Sequence, residues 1–342
     1  MGERDMNRFA KWLAGAAAVA GMLGGLPAHA QTPIKFTLDW VFQGPTSPFL
    51  VALEKGYYKA EGLDVTMDPG QGSAGAVQRV ATGAYQIGFA DVNATIEYNA
   101  KNPGKEVLCV FMAYDFAPFG VYALKKSGIK TPKDLEGKKL GAPVFDASFR
   151  LFPAFAKKNG ITKWEHVNLT PQLREQSLVQ GTVDFISGHY FSSMLDLKAR
   201  GVAFEDIVSM RYVDFGMDVY GNGVVISPEM AKNEKAVKGF LAATVKGWKD
   251  VIADPKLGIA AAKKRDPLID EKLEMERLQI SLQTNILTPY VKANGMGDVD
   301  PVRFARAVKD VSEAFGLPAP PAPDKVFTNV YLPPKADRMI SK

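Results

Sequence analysis

The feature that most constrains this chain is a repeated punctuation. A short apolar run is followed by a polar loop, then by a helical stretch closed with glycine, then by the next apolar run. Residues 34–38 predict a strand, 49–55 a helix stopped at Gly56, and 63–67 a second strand. The loop Gly70-Gln71-Gly72-Ser73 leads into a helix over 74–82 that Gly83 closes. Residues 87–90 then read as a buried strand, with Asp91 or Asn93 capping the helix that carries Ile96 and Tyr98. Such alternation builds a mostly parallel sheet covered by helices on both faces.

The same grammar returns further on. Thr131-Pro132 starts a helix, 139–142 is a strand, and a helix running to Asn159 stops at Gly160. Pro153 predicts that this helix starts late or bends. Thr170-Pro171 opens another helix, closed by Gly181 before a strand over 183–186. The stretch Val80-Ala81-Thr82-Gly83-Ala84-Tyr85-Gln86-Ile87-Gly88 parallels Leu178-Val179-Gln180-Gly181-Thr182-Val183-Asp184-Phe185-Ile186, which suggests two lobes of one architecture. Length agrees, because 342 residues exceed what one core normally serves. Segments 115–122 and 212–222 are the expected crossings between lobes, with Gly120, Gly216, Gly221 and Gly223 available to absorb hinge rotation. Beyond Ser227 the chain turns helical, with Val237, Phe240, Leu241, Val245 and Trp248 as a core stripe. The tail with Pro318, Pro320, Pro321 and Pro323 is expected to wrap the surface as coil.

The amino terminus is different in kind. Arg4, Arg8 and Lys11 precede an apolar run over 12–26, and Ala28-His29-Ala30 is a small-x-small site. This predicts a secretory leader cleaved after Ala30 and an exported, periplasmic protein. The single cysteine, Cys109, lies in the apolar run 107–112 and reads as a core residue. No cysteine follows the leader to carry a lipid. The formal charge of +5 is spread along the chain without interleaved aromatics, so no nucleic-acid partner is expected. No His/Cys group has metal spacing, and neither a phosphate loop nor a G-x-S-x-G motif occurs, so no cofactor, metal or enzymatic activity is expected.

Four segments carry a resemblance. They are Leu38-Asp39-Trp40 with Phe49-Leu50-Val51-Ala52-Leu53-Glu54-Lys55-Gly56-Tyr57-Tyr58-Lys59-Ala60-Glu61-Gly62-Leu63-Asp64-Val65, then residues 83–88, then Thr131-Pro132-Lys133-Asp134-Leu135-Glu136-Gly137-Lys138-Lys139-Leu140-Gly141, and residues 178–185. Together they resemble the NMT1/THI5-like solute-binding proteins of ABC importers, which include binders of thiamine-pyrimidine precursors, sulfonates, taurine and nitrate. The resemblance implies an α/β, type II periplasmic-binding-protein fold, with two lobes, a hinge and a central ligand cleft. It places a leader over 1–30, the first part of lobe 1 over 31–118, lobe 2 over 119–216, and the return to lobe 1 with C-terminal helices over 217–342. The implied partners are a small-molecule ligand and a membrane permease with its ATPase, with the binding protein acting as a monomer. Two alternatives accompany this reading: a ligand-binding sensor protein, and a THI5-like pyrimidine synthase, whose cysteine-rich iron motif a lone Cys109 does not supply.

The candidate ligand residues lie in loops at strand ends, where ligands of open parallel sheets sit. The resemblance implies that Trp40 stacks on a flat ring. Asp39 either accepts from a ligand amine or caps its own turn. Gln43 belongs to the loop 41–48, which departs from the Pro-Asn…His pattern of the pyrimidine binders. Ser73 at a helix start suits a polar or anionic group, or serves as the cap. Asn93 and Tyr114 complete the first wall. On the second wall stand Asp146, His189 and Tyr190, with Asp214 at the second crossing. Arg150 either pairs with a carboxylate or sulfonate through two parallel bonds or lies on the surface. The ligand class thus stays open between a heteroaromatic and a sulfonate or aromatic carboxylate.

Overall fold

In the computed structural model the described residues are 31–340, so the leader and its expected cleavage point lie outside them. Their strands in chain order are β1 (Thr32–Thr37), β2 (Leu63–Asp68), β3 (Ile87–Asp91), β4 (Leu108–Met112), β5 (Phe119–Leu124), β6 (Lys139–Ala142), β7 (Glu165–Asn168), β8 (Phe185–His189), β9 (Ile207–Arg211) and β10 (Asn222–Ile226). They form two five-stranded sheets, ordered β2-β1-β3-β10-β4 and β7-β6-β8-β5-β9.

The two sheets share one plan. In each, a parallel triplet is extended by one antiparallel strand, β10 in the first sheet and β5 in the second. That strand is the one arriving directly from the other sheet, and it pairs on its far side with the fifth strand. The expected mostly parallel sheets are therefore mixed, because each crossing delivers the chain from the opposite direction. The weak internal likeness around Gly83 and Gly181 has a structural counterpart. Gly181 takes a left-handed φ of 73° and ends its helix, as Gly83 does at 77° after the turn following its own.

Helices relevant to the site are α1 (Ser47–Glu54), α2 (Ser73–Ala81), α3 (Val92–Lys101), α4 (Ala147–Lys158), α5 (Arg174–Gln180), α6 (Tyr190–Ala199), α7 (Glu234–Ala253), α8 (Glu271–Ser281) and α9 (Pro301–Ala314). Asp91 rather than Asn93 caps α3, accepting from the Asn93 and Ala94 amides. Asp146 caps α4 in the same way at Ser148 and Phe149. With that cap, α4 starts at Ala147 and runs through Pro153, so of the two expected outcomes, a late start or a bend, the late start does not occur. The whole stripe Val237, Phe240, Leu241, Val245 and Trp248 of α7 is buried. It closes an aromatic core in which Phe49 of α1 meets Phe36 at 5.1 Å, Phe89 at 5.0 Å and Trp248 at 6.2 Å between ring centres. Each such side chain removed from water contributes about 1.5–3 kcal/mol.

The crossings between sheets run side by side. A Cβ on Gly221 would lie 3.0 Å from the Tyr114 Cβ and 3.1 Å from the Ala117 Cα, so this close approach needs glycine. Arg303 of α9 ties both crossings. It donates to the Asp115 carboxylate at 2.8 Å, the Asp115 carbonyl at 2.7 Å and the Asp218 carboxylate at 2.9 Å. Its guanidinium lies between the rings of Phe116 and Tyr220, 4.3 and 4.0 Å from their centres. Gly120 and Gly223, expected as hinge residues, instead lie inside β5 and β10. The tail is largely irregular as expected, yet it also pairs with β4. Cys109 donates its amide to the Val326 carbonyl at 2.8 Å and accepts from Thr328 at 3.0 Å. Cys109 is fully buried, and burial pushes its thiol up to about 12.

Candidate functional site

A narrow cleft opens beyond the carboxyl ends of β1, β6 and β8. Local hydrogen bonding builds its first wall. The Gly70 amide donates to the Trp40 carbonyl at 3.0 Å, and the Gly72 amide to the Asp39 carbonyl at 2.6 Å. These bonds zip the turn before α2 onto the end of β1. Ser73 then donates its hydroxyl to Asp39 Oδ2 at 2.6 Å and accepts the Asp91 amide at 3.0 Å. Asn222, the first residue of β10, donates to the same Asp39 oxygen at 2.7 Å.

Asp39 is therefore held by two donors on one oxygen. Burial pushes its carboxyl up to about 6, against the pull of the Ser73 and Asn222 hydrogen bonds. The Asn222 Oδ1 is buried and has no hydrogen-bond partner among the described residues. Aromatic rings surround these polar groups: Trp40, Phe89, Tyr114 and Phe191 all line the cleft. Tyr114 meets the edges of Phe89 at 5.5 Å and Phe191 at 6.0 Å.

The second wall centres on Arg174, at the start of α5. Its side chain is buried, with Nη1 3.2 Å from Asp146 Oδ2 and Nη2 2.7 Å from Glu175 Oε1. Burial works against its charge but is outweighed by Glu175 and Asp146, which hold the guanidinium more firmly protonated than usual. It lies 5.9 Å from the centre of the Trp40 ring, across the cleft. The Arg174 side chain packs against the backbone of β8. A Cβ on Gly188 would fall 3.0 Å from its guanidinium carbon and 2.3 Å from Ser193 Oγ. His189, one residue on, is pushed down to about 4 by burial, so its imidazole is neutral near pH 7.

Seven of the sequence-derived candidates line this cleft: Asp39, Trp40, Gln43, Ser73, Tyr114, Asp146 and His189. Four lie elsewhere. Asn93 is buried behind the wall, its amide donating to Asp91 Oδ2 at 3.1 Å and to the Tyr220 carbonyl at 2.8 Å. Arg150 faces α3, donating through Nε to Glu97 Oε2 at 3.0 Å, so it bridges the two lobes instead of facing the cleft. Burial raises the Glu97 carboxyl, but Arg150 and then Lys101 outweigh it and hold it below the ordinary range. Tyr190 starts α6 and lines a different cavity with Asp214. Asp214 is exposed and tied to Arg211 at 2.8 and 2.9 Å. Ser73 uses its hydroxyl on Asp39 and does not cap α2, where Gly72 is the N-cap.

Asn222, which the sequence places at the second crossing beside Asp214, also lines the cleft, as do Arg174, Thr46, Phe191 and Ser192, which the sequence did not mark as candidates. Arg174 follows the loop after β7, so the rule that picked Asp39 and Asp146 applies to it as well.

Two mixed sheets facing one cleft, joined by two adjacent crossings, define the periplasmic-binding-protein fold. The NMT1/THI5-like family model matches residues 44–257, and the chain belongs to that family. Among characterised relatives, a riboflavin-binding protein of Chloroflexus aurantiacus is 26% identical over 84% of this chain and 82% of its own. A formylaminopyrimidine-binding protein of Halalkalibacterium halodurans is 27% identical over 75% and 78%. A 4-amino-5-hydroxymethyl-2-methylpyrimidine phosphate synthase of Legionella pneumophila is 24% identical over 88% and 92%. Among solved structures, a protein of Bordetella bronchiseptica superposes with a TM-score of 0.69 at 21% identity, covering 88% of this chain and 96% of its own. The alkanesulfonate-binding protein of Xanthomonas axonopodis, bound to MOPS, gives 0.67 at 14% identity over 87% and 98%.

Proposed function

We propose that this chain is the exported solute-binding component of an ABC importer, and that its solute is a flat, uncharged heteroaromatic compound bearing N–H donors. One observation carries the choice of ligand class. Arg174, the single cation lining the cleft among the described residues, is already shared between two carboxylates, whereas Asp39 has one oxygen uncommitted to Ser73 or Asn222. A sulfonate or carboxylate would meet Asp39 and Asp146 without a free positive partner, at a desolvation cost of several kcal/mol per ion. A ring that donates N–H to Asp39 and stacks on Trp40 meets complementary groups on both sides. The relatives named for riboflavin and formylaminopyrimidine support this class.

Binding would bring the lobes together around the ring, and the closed form would present both lobes to the permease. The rival reading as a pyrimidine synthase draws on the synthase relatives. A thermal-shift screen of the chain from Gln31 tests the proposal against pyrimidines, flavins, sulfonates, aromatic carboxylates and nitrate. A ligand at about 100 times its Kd adds roughly 2.7 kcal/mol. The expected hits are uncharged heteroaromatics, recovered unchanged by mass spectrometry. A screen in which only sulfonates or carboxylates stabilise the protein overturns the ligand class, and a ligand recovered as a new compound overturns the binding-only role.

A further inference from the structure

The cleft does not end at Trp40. A second, more open compartment adjoins that ring, and Trp40 and Val41 line both spaces. It is built from both lobes, with the turn Pro69–Gln71 on one side and residues 168–172 on the other.

Its chemistry differs from that of the inner cleft. Gln71, Asn168, Thr170 and Gln172 present three amides and a hydroxyl, and among the described residues none of these side chains is hydrogen-bonded to protein. Each can donate and accept. The cation of this compartment, Arg79, donates through Nη1 to Thr37 Oγ1 at 3.0 Å and to the Pro69 carbonyl at 3.2 Å, which fixes its guanidinium at the lobe-1 edge of the space. Pro69, Pro171 and Leu169 supply apolar surface between the polar groups. Neutral donor-acceptor groups set among small apolar faces fit a chain or ring of hydroxyls.

We infer that the ligand carries a polyhydroxylated tail, a sugar or polyol, which passes the edge of Trp40 and lies between Gln71 on one lobe and Asn168, Thr170 and Gln172 on the other. The inference rests on the proposed binding of a flat ring in the inner cleft. Because the two sides belong to different lobes, the tail is gripped from both only when the lobes are closed, and it adds to the bias toward closure.

Matched probes that share a ring and differ in the tail test this: riboflavin against lumichrome, and uridine against uracil. Titration calorimetry is run on the wild type, Asn168→Ala/Gln172→Ala and Thr170→Val. All three positions are exposed, and ligand-free melting temperatures equal to wild type establish that the variants fold. In the wild type the tailed member of at least one pair should bind at least tenfold more tightly than its bare ring. The double variant should cut that ratio below threefold while leaving the bare-ring affinity unchanged. Equal affinity of tailed and bare rings, or a ratio that the variants do not move, overturns the outer subsite and leaves the ring-binding proposal standing. Failure of all four compounds to bind overturns both.

Discussion

Asp39 makes ligand affinity depend on pH in a way that can be worked out beforehand. Burial holds its carboxyl at about 6 in the ligand-free protein. A ring donating N–H to it needs the ionised form and will pull that value down on binding, so affinity is complete above 6 and is lost as pH falls through it. At pH 7 about nine-tenths of the molecules carry the charge, and at pH 5 about one-tenth, so the apparent Kd should rise about tenfold between them. His189 does not blur this window, because it is already neutral, with its own titration near 4. Asp91, pushed up to about 8 by burial, titrates above it.

Tryptophan fluorescence titrations with riboflavin from pH 5 to 7.5 provide the assay, with Asp39→Asn as control. The variant should bind more weakly at pH 7 and show no slope. Ligand-free stability should move in the opposite sense. A carboxyl raised from 3.8 to about 6 keeps its proton longer in the folded state than in the unfolded one. Relative to Asp39→Asn, the wild type should therefore lose about 2.4 kcal/mol as pH rises from 4 to 7. An affinity flat across pH 5 to 7, or one that strengthens on acidification, refutes the role assigned to Asp39.

Three further outcomes follow from the same geometry. Glu175→Gln releases Arg174 from one of its two carboxylates and should raise affinity for an alkanesulfonate at least tenfold, measured by calorimetry; no gain means that Arg174 does not govern charge selection. Trp40→Ala removes the stacking platform and should cost about 1–3 kcal/mol of binding, or roughly 5- to 150-fold in Kd. Arg150→Ala breaks the bridge to Glu97 without touching the cleft, so it should weaken binding severalfold while leaving ligand selectivity unchanged. Small-angle scattering should then show less compaction at saturating ligand, and unchanged compaction would make the pair a surface ornament.

The strand-end rule accounts for what was legible in the sequence. Asp39, Trp40, Asp146 and His189 each follow or close a strand, so topology alone carries them to one place. What local reasoning could not supply was the direction in which a helix faces across the cleft. Arg150 and Arg174 both sit near the start of second-lobe helices and look equivalent on paper. Glu97, fifty-three positions before Arg150, captures the first, while Asp146 and Glu175 turn the second inward. Asn93 was drawn from the cleft by a tertiary partner, the Tyr220 carbonyl, with no neighbouring sequence signal. The antiparallel strands β5 and β10 were equally hidden, since a buried strand reads the same in either direction.

The place of β10 bears on how this molecule comes into being. It is the only link between β3 and β4, which do not pair with each other. The first sheet therefore stays split, with two open edges, until residue 226 has been made, whereas every strand of the second sheet falls within residues 119–211. Long-range closure is slow because the loop entropy is spent before the contacts form. The first sheet thus cannot close while the amino-terminal half is still emerging, and its strands wait on a segment made more than a hundred residues later. Pulse-labelled hydrogen exchange should record the order directly, with β5, β6 and β8 protected before β3 and β4.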